Sequence, residues 1–405
     1  MGPLREMPKI TMTREPGHPF DPPPLLYQLR EAGPVVRVIS NGGTPAWIIT
    51  RYEDQRTLLS DPRLSSDQNL ANFPVAVEGI KKSQAELSRT IITLDNPRHD
   101  VLRRMYGRDF TVKRITALRP AVQRHVDNLI DDMLSGPKPA DFVASVALAL
   151  PTLVISDFLG VPYEDHQMFQ DITSKIVSPE LPAQELAEAT GELVEYVGGL
   201  LDTKRDDPQD DMLSRLAAYW AAGEISKAEA VGAGMVLIPA GHETTANMIT
   251  MSTIALLDHP DQLDQIRSGE DQGLIANAIE ELLRYNHVTH YHRRRLALAD
   301  IEIGGQLISK GDGVILPGNL ADRDPDAFPG DPDELDIHRK SRHHLSFGYG
   351  IHQCLGQMLA RVELQIVFST LFRRIPTLDI AIPRDQIPFK SDLFVYGAHR
   401  LPVTW

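Results

Sequence analysis

The chain's only cysteine, Cys354, lies in the run Phe347-Gly348-Tyr349-Gly350-Ile351-His352-Gln353-Cys354-Leu355-Gly356. Gly348 and Gly350 let the backbone turn sharply where side chains would clash. From Leu355 onward, Leu359, Val362 and Ile366 repeat at helical spacing until Ile375-Pro376 closes the pattern. Cys354 is therefore expected at the N-terminal end of a helix, where free N–H groups and the positive end of the dipole lower a thiol's pKa. Gly356 leaves room for something flat to approach.

Such a loop offers a thiolate to a large planar partner. A haem iron suits it, because a thiolate ligand pushes electron density onto iron and favours O–O cleavage. Structural zinc does not, since it needs four ligands and there is no second cysteine. A lone cysteine is more often a small buried hydrophobe. A reactive nucleophile also stays open, with His352 two residues away, although that spacing does not itself put a base beside the sulfur.

A second group of reactive residues is Pro239-Ala240-Gly241-His242-Glu243-Thr244-Thr245. Pro239 lacks an N–H, so the carbonyl of Met235 loses its helical partner. Gly241 weakens the same turn, and threonine hydroxyls can bond back to main-chain carbonyls. These features predict a local opening, with a carboxylate and hydroxyls at its edge that can hold water and pass protons. The plainer reading of the residues alone is a flawed core helix whose threonines bond their own turn.

Three further groupings are charged or titratable. Glu281 and Arg284 stand three apart on one helical face; by itself such a pair is a surface contact worth a few tenths of a kcal/mol. His99 and Arg103 stand four apart, and by themselves read as solvated cations, as does Arg295. The segment Asn286-His287-Val288-Thr289-His290-Tyr291-His292 is polar and His-rich. Its histidines are expected to face solvent, and nothing nearby supplies the further ligands a metal would need.

The elements that position these residues are mainly helical. A capping box, Ser226 with Glu229, opens a helix that Asp258-His259-Pro260 ends. Some thirty residues at about 1.5 Å each span roughly 45 Å, enough to cross a domain, and its apolar content makes it central and buried. A second helix covers Asn277 to Tyr285. Residues Asp95 to Leu257 are helical, with breaks at Gly136-Pro137, Gly160-Val161-Pro162, Ser178-Pro179 and Asp206-Asp207-Pro208. Ala46 to Thr50, Leu296 to Ile303, Val314 to Leu316 and Leu378 to Ile382 read as strands.

Composition sets the frame. With 405 residues, 42% of them hydrophobic, and no linker, repeat or low-complexity tract, residues 1–405 are read as one large domain. A net charge of -14 argues against a nucleic-acid binder. Met1 to Phe20 lacks the apolar run of a signal peptide or anchor, and no later stretch is long and apolar enough to span a bilayer, so a soluble cytoplasmic protein is expected. One cysteine excludes an internal disulfide, which fits a reducing compartment.

The loop around Cys354 resembles, at Phe347, Gly348, Gly350, His352, Cys354 and Gly356, the haem-binding loop of the cytochrome P450 family. Ala240-Gly241-x-Glu243-Thr244 and Glu281-x-x-Arg284 accompany it in the expected order. The resemblance covers essentially the whole chain and is nearest to soluble bacterial, actinomycete-type members. It implies a mainly α fold with minor β, a triangular helical prism with small sheets, binding haem b (iron protoporphyrin IX) through Cys354.

By that resemblance Glu243 relays protons and Thr244 orders water or the oxygen species being protonated, with Ala240 and Gly241 forming the distal groove; Pro239 departs from the usual apolar residue there. Glu281, Arg284 and Arg339 form a buried scaffold behind the cysteine loop. His99, Arg103, Arg295 and His352 hold the propionates. The substrate pocket is lined from Ser66 to Thr90, Ile172 to Glu188, the distal helix, Asn286 to His292 and Ser391 to Tyr396, with Val288 and Thr289 as the best contact candidates.

The implied activity is a monooxygenase that uses O2 to hydroxylate or epoxidise a small hydrophobic molecule, in secondary-metabolite tailoring or xenobiotic oxidation. Coupling, desaturation, peroxide use and a non-catalytic haem sensor are the alternatives. The enzyme is read as a monomer. No flavin or nicotinamide fingerprint appears, so electrons are expected from a ferredoxin and its ferredoxin reductase. Docking is assigned to a basic face of Arg103, Arg104, Arg108, Lys113, Arg114, Arg342, His343, His344 and Arg361.

Overall fold

Lys227–Leu257 forms one helix of 31 residues. Its start is the capping box read from sequence: Ser226 Oγ accepts from the Glu229 amide at 3.1 Å, and the Glu229 carboxylate accepts from the Ser226 amide at 2.9 Å. The helix continues through Pro239, so the opening expected there does not interrupt it. Helices Ala149–Leu159, Ala183–Asp206, Met212–Ala221, Gln272–Asn286 and Gln357–Arg374 pack around it. The computed structural model describes residues 7–75, 90–176, 182–290, 292–391 and 393–405.

Helix Gln272–Asn286 starts five residues before the sequence pattern does, because Asp271 caps it by accepting from the Leu274 amide at 2.9 Å. It ends at His287, in the left-handed region at φ +32°. The breaks at Gly136, Gly160 and Asp207 fall where expected, after helices Arg119–Ser135, Ala149–Leu159 and Ala183–Asp206. Ser178-Pro179 lies outside the described residues.

The strands are short and sit to one side. A five-stranded sheet runs in the order Val35–Ile39, Pro45–Ile49, Gly313–Leu316, Arg293–Ala297, Leu64–Ser65. Pro45–Ile49 and Gly313–Leu316 are parallel and the other pairs antiparallel. Both faces are buried: Ile49, Val314 and Leu316 join one apolar cluster, whereas Ala46, Ile48 and Ile315 join another with Leu26 and Leu29 of helix Pro24–Ala32. That is the two-residue alternation of a strand applied to two cores. The run Leu296 to Ile303 divides into two elements, Arg293–Ala297 and Ile301–Ile303, and only Asp379–Ile380 of Leu378 to Ile382 is strand.

Among the described residues no helix is long and apolar enough to cross a membrane.

Candidate active site

The cysteine loop leaves the sheet side and feeds helix Gln357–Arg374. Gly348 and Gly350 take φ of +72° and +73°. A Cβ on Gly350 would lie 2.2 Å from the Leu59 carbonyl oxygen, so only glycine fits. The Cys354 amide donates to the Phe347 carbonyl at 2.8 Å and closes the loop.

The helix begins later than its apolar pattern. Gly356 is the cap and Gln357 the first helical residue, so Cys354 lies two residues ahead of the cap and not in the first turn. The thiol pKa also departs from expectation. Burial raises it, and the Gly356 amide with Arg103, Arg293 and Arg361 offsets only part of the rise. Desolvation outweighs the dipole. A thiol whose pKa is raised is a poor free nucleophile, and His352, the base considered for it, packs its ring 4.3 Å from that of His99.

Beside the loop gather arginines and histidines from three segments. His99, on helix Arg98–Gly107, is 1% exposed, and neither ring nitrogen makes a hydrogen bond; its Nδ1 stands 3.6 Å from Asp100. Arg103 is one turn further on and partly buried. Arg295 is held down to a pKa of about 10 by burial and by Arg293, and its Nη1 donates to the Arg294 carbonyl at 2.7 Å. His352 is pushed down to about 3 by burial and then by Arg295, His99 and Arg103.

Arg293 was missed by the sequence reading. It is half-buried, donates to the Ser346 carbonyl at 2.9 Å, and acts electrostatically on Cys354. The signal was available: Arg293 and Arg295 alternate along one strand and so share a face.

On the long, mostly buried helix Lys227–Leu257, Ala240 is exposed. Thr244 Oγ1 donates to the Ala240 carbonyl at 2.7 Å, the back-bonding read from sequence. Glu243 is buried, and its Oε1 accepts from Lys390 Nζ at 2.6 Å and from Asn247 Nδ2 at 2.8 Å. Burial raises its pKa, but Lys390, Asn247 and His242 together bring it below the ordinary carboxylate value. Gly241 faces helix Ala149–Leu159, where a Cβ would meet Ile155 at 3.3 Å.

Behind the loop, Glu281 and Arg284 are fully buried and paired through two hydrogen bonds of 2.8 and 2.7 Å. Arg339 Nε donates to the same carboxylate at 3.2 Å, and Ser341 also bonds it. Arg284 reaches the carbonyls of Asp322 and Pro332 as well. A parallel set, unforeseen from sequence, joins Glu280 to Arg361 at 2.6 Å and to His344 at 3.2 Å. Arg361 and His344 are therefore internal partners and leave the proposed basic face. Arg104, Arg108, Lys113, Arg342 and His343 remain exposed.

The histidines expected to face solvent are buried. His287 Nδ1 meets Asp322 at 2.7 Å, His290 Nε2 meets the Met12 carbonyl at 2.7 Å, and His292 is 8% exposed. Val288 belongs to the main core, whereas Thr289 is partly exposed opposite Val395. Residues 76–89, 177–181, 291 and 392 of the expected pocket segments lie outside the described residues.

The residues fit a haem. Buried His99 has two unsatisfied ring nitrogens, and its cationic neighbours repel one another. A group carrying two carboxylates would satisfy both, while the cysteine loop offers one sulfur to its metal.

A family model described as Cytochrome P450 matches residues 25–379. The chain is 48% identical over 406 residues to Cytochrome P450 GfsF of Streptomyces halstedii, covering 100% of this chain and 97% of that protein. It is 43% identical to pentalenic acid synthase of Streptomyces avermitilis, covering 96% and 95%. The crystal structure of GfsF superposes with a TM-score of 0.92 at 46% identity over the whole of both chains. That of CYP105P1 with filipin I superposes at 0.88 and 39% identity, covering 99% of each. With the loop, groove and buried ion pairs in place, the chain belongs to the cytochrome P450 family of haem-thiolate monooxygenases.

Proposed function

We propose that this chain holds haem b, with Cys354 as the iron ligand, His99, Arg103, Arg295, His352 and Arg293 on the propionate side, and Phe347, Gly348, Ala240 and Gly241 against the ring faces. The observation that carries this is the buried His99, with neither ring nitrogen hydrogen-bonded, grouped with Arg103, Arg295 and His352 beside the cysteine loop. Bound there, the haem would supply the redox chemistry for inserting one atom of O2 into a C–H or C=C bond. Glu243 passes protons inward from Lys390 and the solvent side. Thr244 presents its Oγ1 hydroxyl to the cleft and orders the last proton donor. Glu281, Arg284 and Arg339 hold the loop and take no part in the chemistry.

The substrate is a hydrophobic polycyclic or macrolide-sized molecule. Relatives include pentalenic acid synthase and, at 38% identity, a 20-oxo-5-O-mycaminosyltylactone 23-monooxygenase. Thr289, Pro239 and the buried Val288 behind them shape the pocket. Electrons come from a ferredoxin and its reductase, and the enzyme works as a cytoplasmic monomer. The Glu243–Thr244 pair favours O2 over peroxide as oxidant.

The test is spectroscopic. The reduced carbon monoxide complex should show the red-shifted Soret band of thiolate ligation, and Cys354→His should abolish it while the protein stays folded. A normal band in the Cys354→His protein would overturn the assignment. A compound panel read by the low- to high-spin change should then identify the substrate class.

A further inference from the structure

Most of helix Lys227–Leu257 is covered, but one stripe is not. Gly232, Val236, Ala240 and Thr244, at four-residue steps, are partly or fully exposed, as are the adjoining Met235 and Pro239. The neighbouring faces are closed, since a Cβ on Gly234 would meet Val197 at 2.8 Å and one on Gly241 would meet Ile155 at 3.3 Å. The stripe therefore runs along the helix to Ala240 and Thr244, the positions assigned above to the distal groove.

Two main-chain carbonyls on this stripe differ in their partners. That of Ala240 accepts the Thr244 hydroxyl at 2.7 Å. That of Met235 would normally accept from residue 239, but Pro239, inside the helix, has no N–H to give it. Among the described residues no side chain donates to it. Its surroundings on the stripe, Val236, Pro239 and Ala240, are apolar. A substrate entering the cleft displaces water from this oxygen and must replace the lost hydrogen bond or leave it unmet.

We propose that the Met235 carbonyl is a specificity-determining acceptor that selects substrates carrying a hydroxyl or amide N–H over equally hydrophobic ones that can only accept. This rests on the haem-monooxygenase reading, but not on turnover. A substrate group that donates to this oxygen restores the bond that an acceptor-only analogue leaves unmet.

Met235-Val236 is the only Met-Val pair in the chain. Labelling with [1-13C]methionine and [15N]valine therefore marks this one peptide, which can be followed by NMR in the diamagnetic ferrous carbon monoxide form of the holoprotein. The probes are macrocyclic alcohols of graded ring size and their matching ketones. At the ring sizes that bind, the alcohol should move the Met235 carbonyl carbon downfield and the ketone should not, and the alcohol should bind about two- to tenfold more tightly. Pro239→Ala, which restores an amide at a helical position, should shift the carbonyl downfield without ligand and remove the preference. No alcohol preference at any ring size, an unmoved carbonyl with alcohol bound, or an unchanged preference in Pro239→Ala each overturns the proposal. Failure of the haem reading would appear instead as loss of the red-shifted carbon monoxide band.

Discussion

Lys390 Nζ stands 2.6 Å from Oε1 of Glu243, with both side chains buried and the two residues 147 apart in sequence. Removing the cation strands a buried carboxylate, at roughly 3–5 kcal/mol, a cost the group reduces by protonating. Lys390→Met should therefore raise the Glu243 pKa. The acid limb of the turnover profile should move to higher pH and the solvent isotope effect should grow. An unmoved limb would remove Glu243 from the proton path.

Thr244 gives its hydroxyl to the Ala240 carbonyl at 2.7 Å on the cleft side. Thr244→Ala should leave the haem spectrum intact while product formed per NADPH consumed falls about tenfold or more. Thr244→Ser should retain most of the coupling. Equal coupling in all three proteins would show that the hydroxyl is only a helix contact.

Arg284 is fully buried on the equally buried Glu281. Arg284→Met should lower unfolding stability by about 3–5 kcal/mol in urea titration, because the buried Glu281 loses its two-pronged partner. Arg284→Lys should also lose stability, since an ammonium cannot form the two-pronged contact. A lysine protein as stable as the parent would count against the fork geometry.

Glu280 lies between Arg361 and His344. Burial raises its pKa, but these two partners hold it at about 2, against 4.5 for a free glutamate. A lowered folded-state pKa means the stabilisation is complete above about 4.5 and is lost as pH falls from there toward 2. The contribution is on the order of 3 kcal/mol. Glu280→Gln should flatten the stability curve in that window, as measured by denaturant titration at stepped pH.

Arg104 and Arg342 are exposed on segments leading to the cysteine loop. Reversing both to glutamate should slow turnover driven by an acidic ferredoxin by an order of magnitude or so at low salt, with less effect at high salt. Peroxide-driven turnover should be unaffected. Equal loss on both routes would indicate damage to the site and not to docking.

What the sequence showed follows from distance along the chain. His99 with Arg103, Glu281 with Arg284, and Ser226 with Glu229 each lie within about one helical turn, so spacing alone pairs them. Lys390 and Arg361 reach their carboxylates across 147 and 81 residues, and no local pattern encodes that approach. The histidines at 287 and 290 were misread because their partners, Asp322 and the Met12 carbonyl, come from elsewhere in the fold. Cys354 was placed two residues too close to the helix because the apolar spacing starts at Leu355, whereas the backbone becomes helical only at Gln357.

Strand Arg293–Ala297 carries three consecutive arginines, and its pairing of Arg293 with Leu316 and Arg295 with Val314 decides which of them meet the cofactor side. Arg294 turns the other way, to Asn41. Sliding this ladder by a single step would reverse the allocation, withdrawing two charges and offering one. Anion capture is thus fixed by sheet alignment rather than by the number of basic residues, and a mutation that loosens the alignment could impair haem retention without touching a haem contact.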